Sequence, residues 1–198
     1  MVAFAFAIFV SAFLLFQVQP VIGRFILPWY GGSPAVWSSC MLFFQVALLA
    51  GYGYAHLLAT HFPARRQVLI HLVLLAISLL WLPITPGEGL SPGGAQVPIW
   101  GILRLLTLSV GFPYLMLSAS GPLLQSWFAK VHPGRSPYRL YALSNLGSLL
   151  GLLTYPFLIE PRVGIRMQTV HWSWGYALYG LAAGLCGVLL WRLRPTRS

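Results

Sequence analysis

The sequence predicts an all-α, polytopic membrane bundle, and three observations predict it. Six long apolar stretches fill most of the 198 residues, at 3–27, 35–60, 67–84, 97–119, 137–159 and 169–191. Each is close to or above the ~20 residues that a helix rising ~1.5 Å per residue needs to cross ~30 Å of hydrocarbon. Charge is scarce: twelve Lys or Arg and two Glu stand against 58% hydrophobic residues and a mean hydropathy of +0.78. The linkers are short and rich in turn residues. A water-soluble globule would carry many more surface charges, and a disordered chain far fewer apolar residues. Residues 1–198 are therefore expected to pack as one transmembrane bundle.

The first span lacks a basic leader, and its apolar run continues to about Leu27. That is longer than the apolar core of a signal peptide, so it reads as a retained helix, with Pro20 removing one backbone hydrogen bond inside it. Tyr30-Gly31-Gly32-Ser33-Pro34 is a tight turn, with Ser33 placed to cap span two and Pro34 to start it. Ala47, Gly51, Ala55 and Ala59 form a stripe of small residues along span two. Gly147 and Gly151, beside Ser144 and Ser148, repeat that spacing in span five, and Gly180 and Gly184 in span six. Such stripes let helix backbones approach closely in lipid, where packing drives association. The gap 83–98 is the longest, and its Gly and Pro content argues against a helix there. After span four, Ser120-Gly121-Pro122 interrupts the pattern; Leu123, Leu124, Trp127 and Phe128 then share a face opposite Gln125, Ser126 and Lys130. Residues 121–131 are either a short interfacial helix lying in the headgroup region or an extension of span four.

The formal net charge of +10 suggests nucleic acid until the bases are placed. They sit in twos and threes at the ends of apolar runs, so the bilayer is the predicted partner and nucleic acid is not. With six crossings, both termini share a side with Arg65, Arg66, Lys130, Arg135, Arg139, Arg192, Arg194 and Arg197. The other side holds Arg24, Arg162 and Arg166, offset by Glu88 and Glu160. That bias places both termini in the cytoplasm.

Little in the chain supports chemistry. Cys40 and Cys186 lie within spans and behave as small hydrophobes. His56, His61, His71, His132 and His171 read as interfacial, with no carboxylate near enough in sequence to complete a metal set. Gly51-Tyr52-Gly53 lies inside a span, outside the strand–helix setting a nucleotide loop requires. There is no Asp, and acid–base work would fall on two glutamates at loops or span ends. Neither a catalytic residue nor a cofactor is predicted, and the chain does not read as an enzyme.

Polar groups inside lipid are costly enough to be candidate functional positions. Arg24, Arg104 and Glu160 fall in one leaflet, where they form either an anion- or proton-linked site or a snorkelling pair of arginines. Gln17 and Arg24 lie two turns apart on span one, with Gln19 and Pro20 between them. Gln45 and Asn145 add amides at other depths. These seven residues either line one polar, exoplasmic-facing cavity or bond helices together, at ~0.6–2 kcal/mol each.

Several runs have a further meaning when taken together. Phe16-Gln17-Val18-Gln19-Pro20-Val21-Ile22-Gly23-Arg24, then Leu27-Pro28 and Gly31-Gly32-Ser33-Pro34-Ala35-Val36-Trp37, open the chain. Further along stand Gly51-Tyr52-Gly53-Tyr54-Ala55-His56-Leu57, Ser118-Ala119-Ser120-Gly121-Pro122-Leu123-Leu124-Gln125-Ser126-Trp127-Phe128, Pro137-Tyr138-Arg139-Leu140-Tyr141 and Tyr155-Pro156-Phe157-Leu158-Ile159-Glu160-Pro161. This set resembles the N-terminal transmembrane region of bacterial fused major-facilitator/spermidine-synthase-like membrane proteins. The resemblance implies a transporter-like inner-membrane module, half of a larger helical region, whose partners are further transmembrane helices or a synthase-like domain or subunit. The acidic residue usual in the loop between the second and third spans of that superfamily is missing from the segment ending Ala64-Arg65-Arg66. The rival reading is an anchoring subunit for a separate cytoplasmic synthase-like enzyme, with no transport path.

Overall fold

The computed structural model describes residues 1–87, 89 and 98–192, and among them every regular element is helical. The helices are α1 (Val2–Tyr30), α2 (Pro34–His61), α3 (Ala64–Ser78, continued by a 3-10 turn at Leu79–Trp81), α4 (Pro98–Leu106), α5 (Phe112–Val131), α6 (Tyr138–Thr154) and α7 (Ile165–Trp191). A π-turn at Thr107–Gly111 fuses α4 to α5, and another at Tyr155–Ile159 extends α6. Six segments are long and apolar enough to cross a membrane: Val2–Tyr30, Pro34–His61, Ala64–Trp81, Ile99–Val131, Tyr138–Ile159 and Ile165–Trp191. The protein is a multi-pass, all-α membrane bundle.

Both π-turns coincide with a proline. Pro113 and Pro156 lack an N–H, and their rings crowd the carbonyl four residues back; widening the helix relieves that clash. At the second turn, Glu160 N donates to Tyr155 O at 2.8 Å, a five-residue step that rotates Glu160 and its successors around the helix axis. The start of α2 has the expected turn chemistry: Val36 N donates to Ser33 Oγ at 3.4 Å, and Pro34 occupies the first turn.

α1 is the hub, packed by α5, α6 and α7; α2 lies on α4 and α5, and α3 on α7 and α5. α6 leans chiefly on α1. Its seam is set by two glycines: a Cβ at Gly147 would sit 2.6 Å from Phe9 O, and one at Gly151 would sit 2.5 Å from Phe13 O. Gly51 likewise lies against Ser118 and the Leu115 carbonyl of α5. The third stripe behaves differently. Gly180 has only Leu75 Cδ2 at 3.9 Å, and Gly184 has open space. In α7 the close approaches are made by Gly175, against Leu14, and Gly187, against Val68.

The interfacial helix expected over 121–131 is not a separate element. α5 runs unbroken through Gly121 and Pro122 to Val131, extending span four. Leu123, Leu124, Trp127 and Phe128 are all buried, so the apolar face covers protein instead of lipid headgroups. That burial holds the helix together across the one bond Pro122 cannot make. The irregularity in this span sits one proline earlier, at the π-turn before Pro113.

Contacts sort the bundle's two ends. Arg135 Nη1 lies 3.4 Å from Met1 Sδ, and the Arg65 guanidinium sits 5.8 Å over the Trp191 ring, which gathers these groups at one end. Arg24 meets Glu160, and Thr85 Oγ1 meets Thr169 Oγ1 at 2.6 Å, at the other. Residues 82–87 are non-helical, as their composition predicts, and bury Ile84 and Pro86. The remainder of the 83–98 gap, Glu88 included, lies outside the described residues apart from Gly89 and Pro98, as do Arg194 and Arg197.

Candidate functional site

α2 and α6 flank a groove floored by α1 and α5. Along α1 the groove face runs through Ser11, Ala12, Leu15 and Phe16, then Gln19, Pro20, Gly23 and Arg24, a continuous three- and four-residue progression along one side of the helix. The groove contains two hollows. The first, about 440 Å³, reaches toward the Glu160 end between Trp37, Cys40 and Phe44 on one wall and Leu152 and Tyr155 on the other. The second, about 450 Å³, is lined by polar groups from four helices: Ser11, Tyr52, Ser118, Gln125, Ser144 and Asn145 among them.

At the mouth of the first hollow, Arg24 Nε stands 3.5 Å from Glu160 Oε1, and Arg24 Nη1 donates to the Glu160 carbonyl at 3.4 Å. This is a single-toothed contact with half-exposed partners, not a two-toothed clamp. The π-turn around Pro156 carries Glu160 onto this side. Deeper in, Gln19 Nε2 donates to Tyr114 Oη at 3.4 Å. Tyr114 is almost wholly buried, its ring 5.0 Å from that of Phe44, and its hydroxyl lies within electrostatic reach of Tyr52, which belongs to the second hollow. Gln19 and Tyr114 thus connect the charged mouth to the polar middle of the groove.

Of the seven candidate positions, Gln19, Arg24, Asn145 and Glu160 line this groove. Gln45 is exposed on α2, one turn beyond Met41 of the first hollow, and is not among the residues lining either hollow. Two positions fall elsewhere. Gln17 is buried on the α7 side of α1, in a hollow with Gln168, His171 and Trp172. Spacing alone put Gln17 and Arg24 on one face, but α6 lies along that face. Gly147 and Gly151 press α6 onto the Phe9 and Phe13 carbonyls, and the helix body parts the polar positions to either side. Arg104 is exposed on α4, its guanidinium acting electrostatically on the Tyr30 hydroxyl, away from both hollows. The single cavity expected from sequence is therefore divided.

Histidine placement also needs correction. His56, His61 and His171 are exposed and His132 half-buried, but His71 is completely buried in the middle of α3. Its ring packs between Tyr54, at 6.0 Å, and Trp127, at 5.9 Å. His71 Nδ1 is 3.4 Å from Tyr54 Oη, and Nε2 has no hydrogen-bond partner among the described residues. One turn away, Gln67 Oε1 accepts from Trp127 Nε1 at 3.1 Å and Lys130 Nζ at 3.4 Å, while Nε2 donates to the Ala59 and Phe62 carbonyls. Ser78 pairs with Tyr176 at 2.6 Å, and Ser120 with Tyr179. These groups clamp α2, α3, α5 and α7 together. Sequence reading missed them because histidines near span ends look interfacial until a neighbour covers them.

No protein-family model, curated protein or solved structure matches this chain. Among the described residues, no three His, Cys, Asp or Glu side chains gather where a metal ion could be held. The groove on α1, α2, α5 and α6 thus carries a guanidinium and a carboxylate at one end, amides and hydroxyls along the floor, and aromatic and aliphatic walls.

Proposed function

We propose that the protein is a non-enzymatic inner-membrane module of transporter type, related to fused major-facilitator/spermidine-synthase-like membrane proteins, whose solute path is the groove between α2 and α6. Both termini face the cytoplasm in this reading, because the basic residues cluster at the end bearing Met1 and Arg192. The observation that carries the proposal is the convergence of polar side chains from four helices on one groove, while the neighbouring outer positions of α6 are apolar and exposed, Leu149 at 52% and Leu153 at 49%. Polar groups at membrane depth are favoured where they line a water-filled cavity.

Thiol labelling tests this without knowledge of the solute. Single cysteines at Ser144, Asn145 and Ser148 are compared with single cysteines at Leu149 and Leu153, using a charged, membrane-impermeant reagent. A water-filled path makes the first three react well above the last two, because the thiolate forms in water and not among lipid tails. Equal protection of all five positions would leave the anchoring-subunit reading, in which the groove polars serve only to join helices.

A further inference from the structure

We infer that the hollow at the junction of α5 and α6 is a binding site for the headgroup of an anionic phospholipid. The hollow measures about 680 Å³, larger than either hollow of the groove, and lies at the Met1 end of the bundle. Arg135 and Arg139 border it together with Ser136, and its apolar lining is supplied by Phe128, Leu140 and Leu143. Arg135 lies in the loop before α6 and Arg139 in the first turn of that helix, and both line the same hollow. The first turn of α6, starting at Tyr138, adds the positive end of its helix dipole.

Charge balance points to an outside anion. The chain has two acidic side chains. Glu160 is engaged with Arg24 at the opposite end of the bundle. Glu88 lies outside the described residues. Among the described residues, the polar contact made by the Arg135 guanidinium is to Met1 Sδ, and no carboxylate pairs with Arg135 or Arg139. Guanidiniums recognise phosphate oxygens in a two-toothed geometry, and basic pockets between spans at the membrane surface bind anionic headgroups. The apolar floor selects the lipid over a free phosphate: Phe128, Leu140 and Leu143 offer a glycerol–acyl segment a surface that a small hydrophilic anion cannot use.

The test uses the purified full chain in detergent and native mass spectrometry, with phosphatidylglycerol and phosphatidylcholine of the same acyl chains, and with inorganic phosphate as the soluble arm. The chain should bind phosphatidylglycerol in preference to phosphatidylcholine. Arg135→Gln with Arg139→Gln should lower phosphatidylglycerol affinity by roughly tenfold to thirtyfold, as expected for two basic groups near a headgroup. Arg65→Gln with Arg66→Gln removes equal charge from the same end, where Arg65 is already engaged by Trp191, and should change affinity less than about threefold. Arg135→Lys with Arg139→Lys should keep the preference for phosphatidylglycerol but bind it more weakly than the unmodified chain, because an ammonium retains the charge without the two-toothed geometry. Equal losses in the two glutamine pairs would show a diffuse field and no site. Absence of a phosphatidylglycerol preference in the unmodified chain, or displacement of the lipid by millimolar inorganic phosphate, would also overturn the assignment.

Discussion

Arg24 Nε lies 3.5 Å from Glu160 Oε1, joining residues 136 positions apart across the mouth of the α2–α6 groove. Their side chains are 37% and 42% exposed, and ion pairs of that kind stabilise a fold by only about 0–1 kcal/mol. The pair therefore adds little to holding α1 on α6, which the glycine seam already does.

Breaking the ion pair should therefore leave the bundle folded. Arg24→Ala and Glu160→Gln are each expected to shift the unfolding free energy in detergent by less than about 1 kcal/mol, with a coupling of similar size in a double-mutant cycle. A coupling of several kcal/mol would mark the pair as a structural clamp.

The glycine seam should show the opposite behaviour. Gly151→Ala puts a methyl group 2.5 Å from a backbone carbonyl that cannot swing aside, so α6 must move off α1. A destabilisation of about 1–3 kcal/mol is expected, as for other overpacked sites. Gly184→Ala, which meets nothing within 4 Å, should be neutral or slightly stabilising through helix propensity. Thermal unfolding of the two variants side by side checks the contrast; similar melting temperatures would contradict the seam.

Trp127 and Gln125 provide a second contrast, two residues apart on α5. Trp127 is fully buried and donates to Gln67, so Trp127→Ala should cost about 3–5 kcal/mol. Gln125 lines the groove and makes no side-chain hydrogen bond among the described residues; Gln125→Ala should stay within about 0.5 kcal/mol. Denaturant titration in detergent measures both. A mild Trp127→Ala would mean that this turn of α5 is surface, as an interfacial helix would require.

Orientation is checked by labelling Arg66→Cys and Gly164→Cys in a background with Cys40 and Cys186 replaced by Ala. An impermeant thiol reagent should modify position 66 in inverted vesicles and position 164 in intact cells. The reverse pattern would invert the proposed topology.

The sequence by itself determined the helical class, the six spans and the two-ended charge distribution. These depend on local quantities: the length of an apolar run, the position of a base beside it, and a Ser–Pro pair at a helix start. It also marked Arg24 and Glu160, because charge at a span end is conspicuous in a chain with so few carboxylates. Only the tertiary structure decided which polar residues share a space. Gln17 and Arg24 have the same helical phase, but α6 lies across that phase and divides them. His71 and Trp127 looked interfacial from their positions along the chain, and are buried because α2, α3 and α5 close around them. Gly180 and Gly184 have the same spacing as Gly147 and Gly151 but no helix pressed against them. Periodicity specifies the direction in which a side chain leaves its helix. What it meets there depends on the neighbouring helix, and that is a long-range property of the packed bundle.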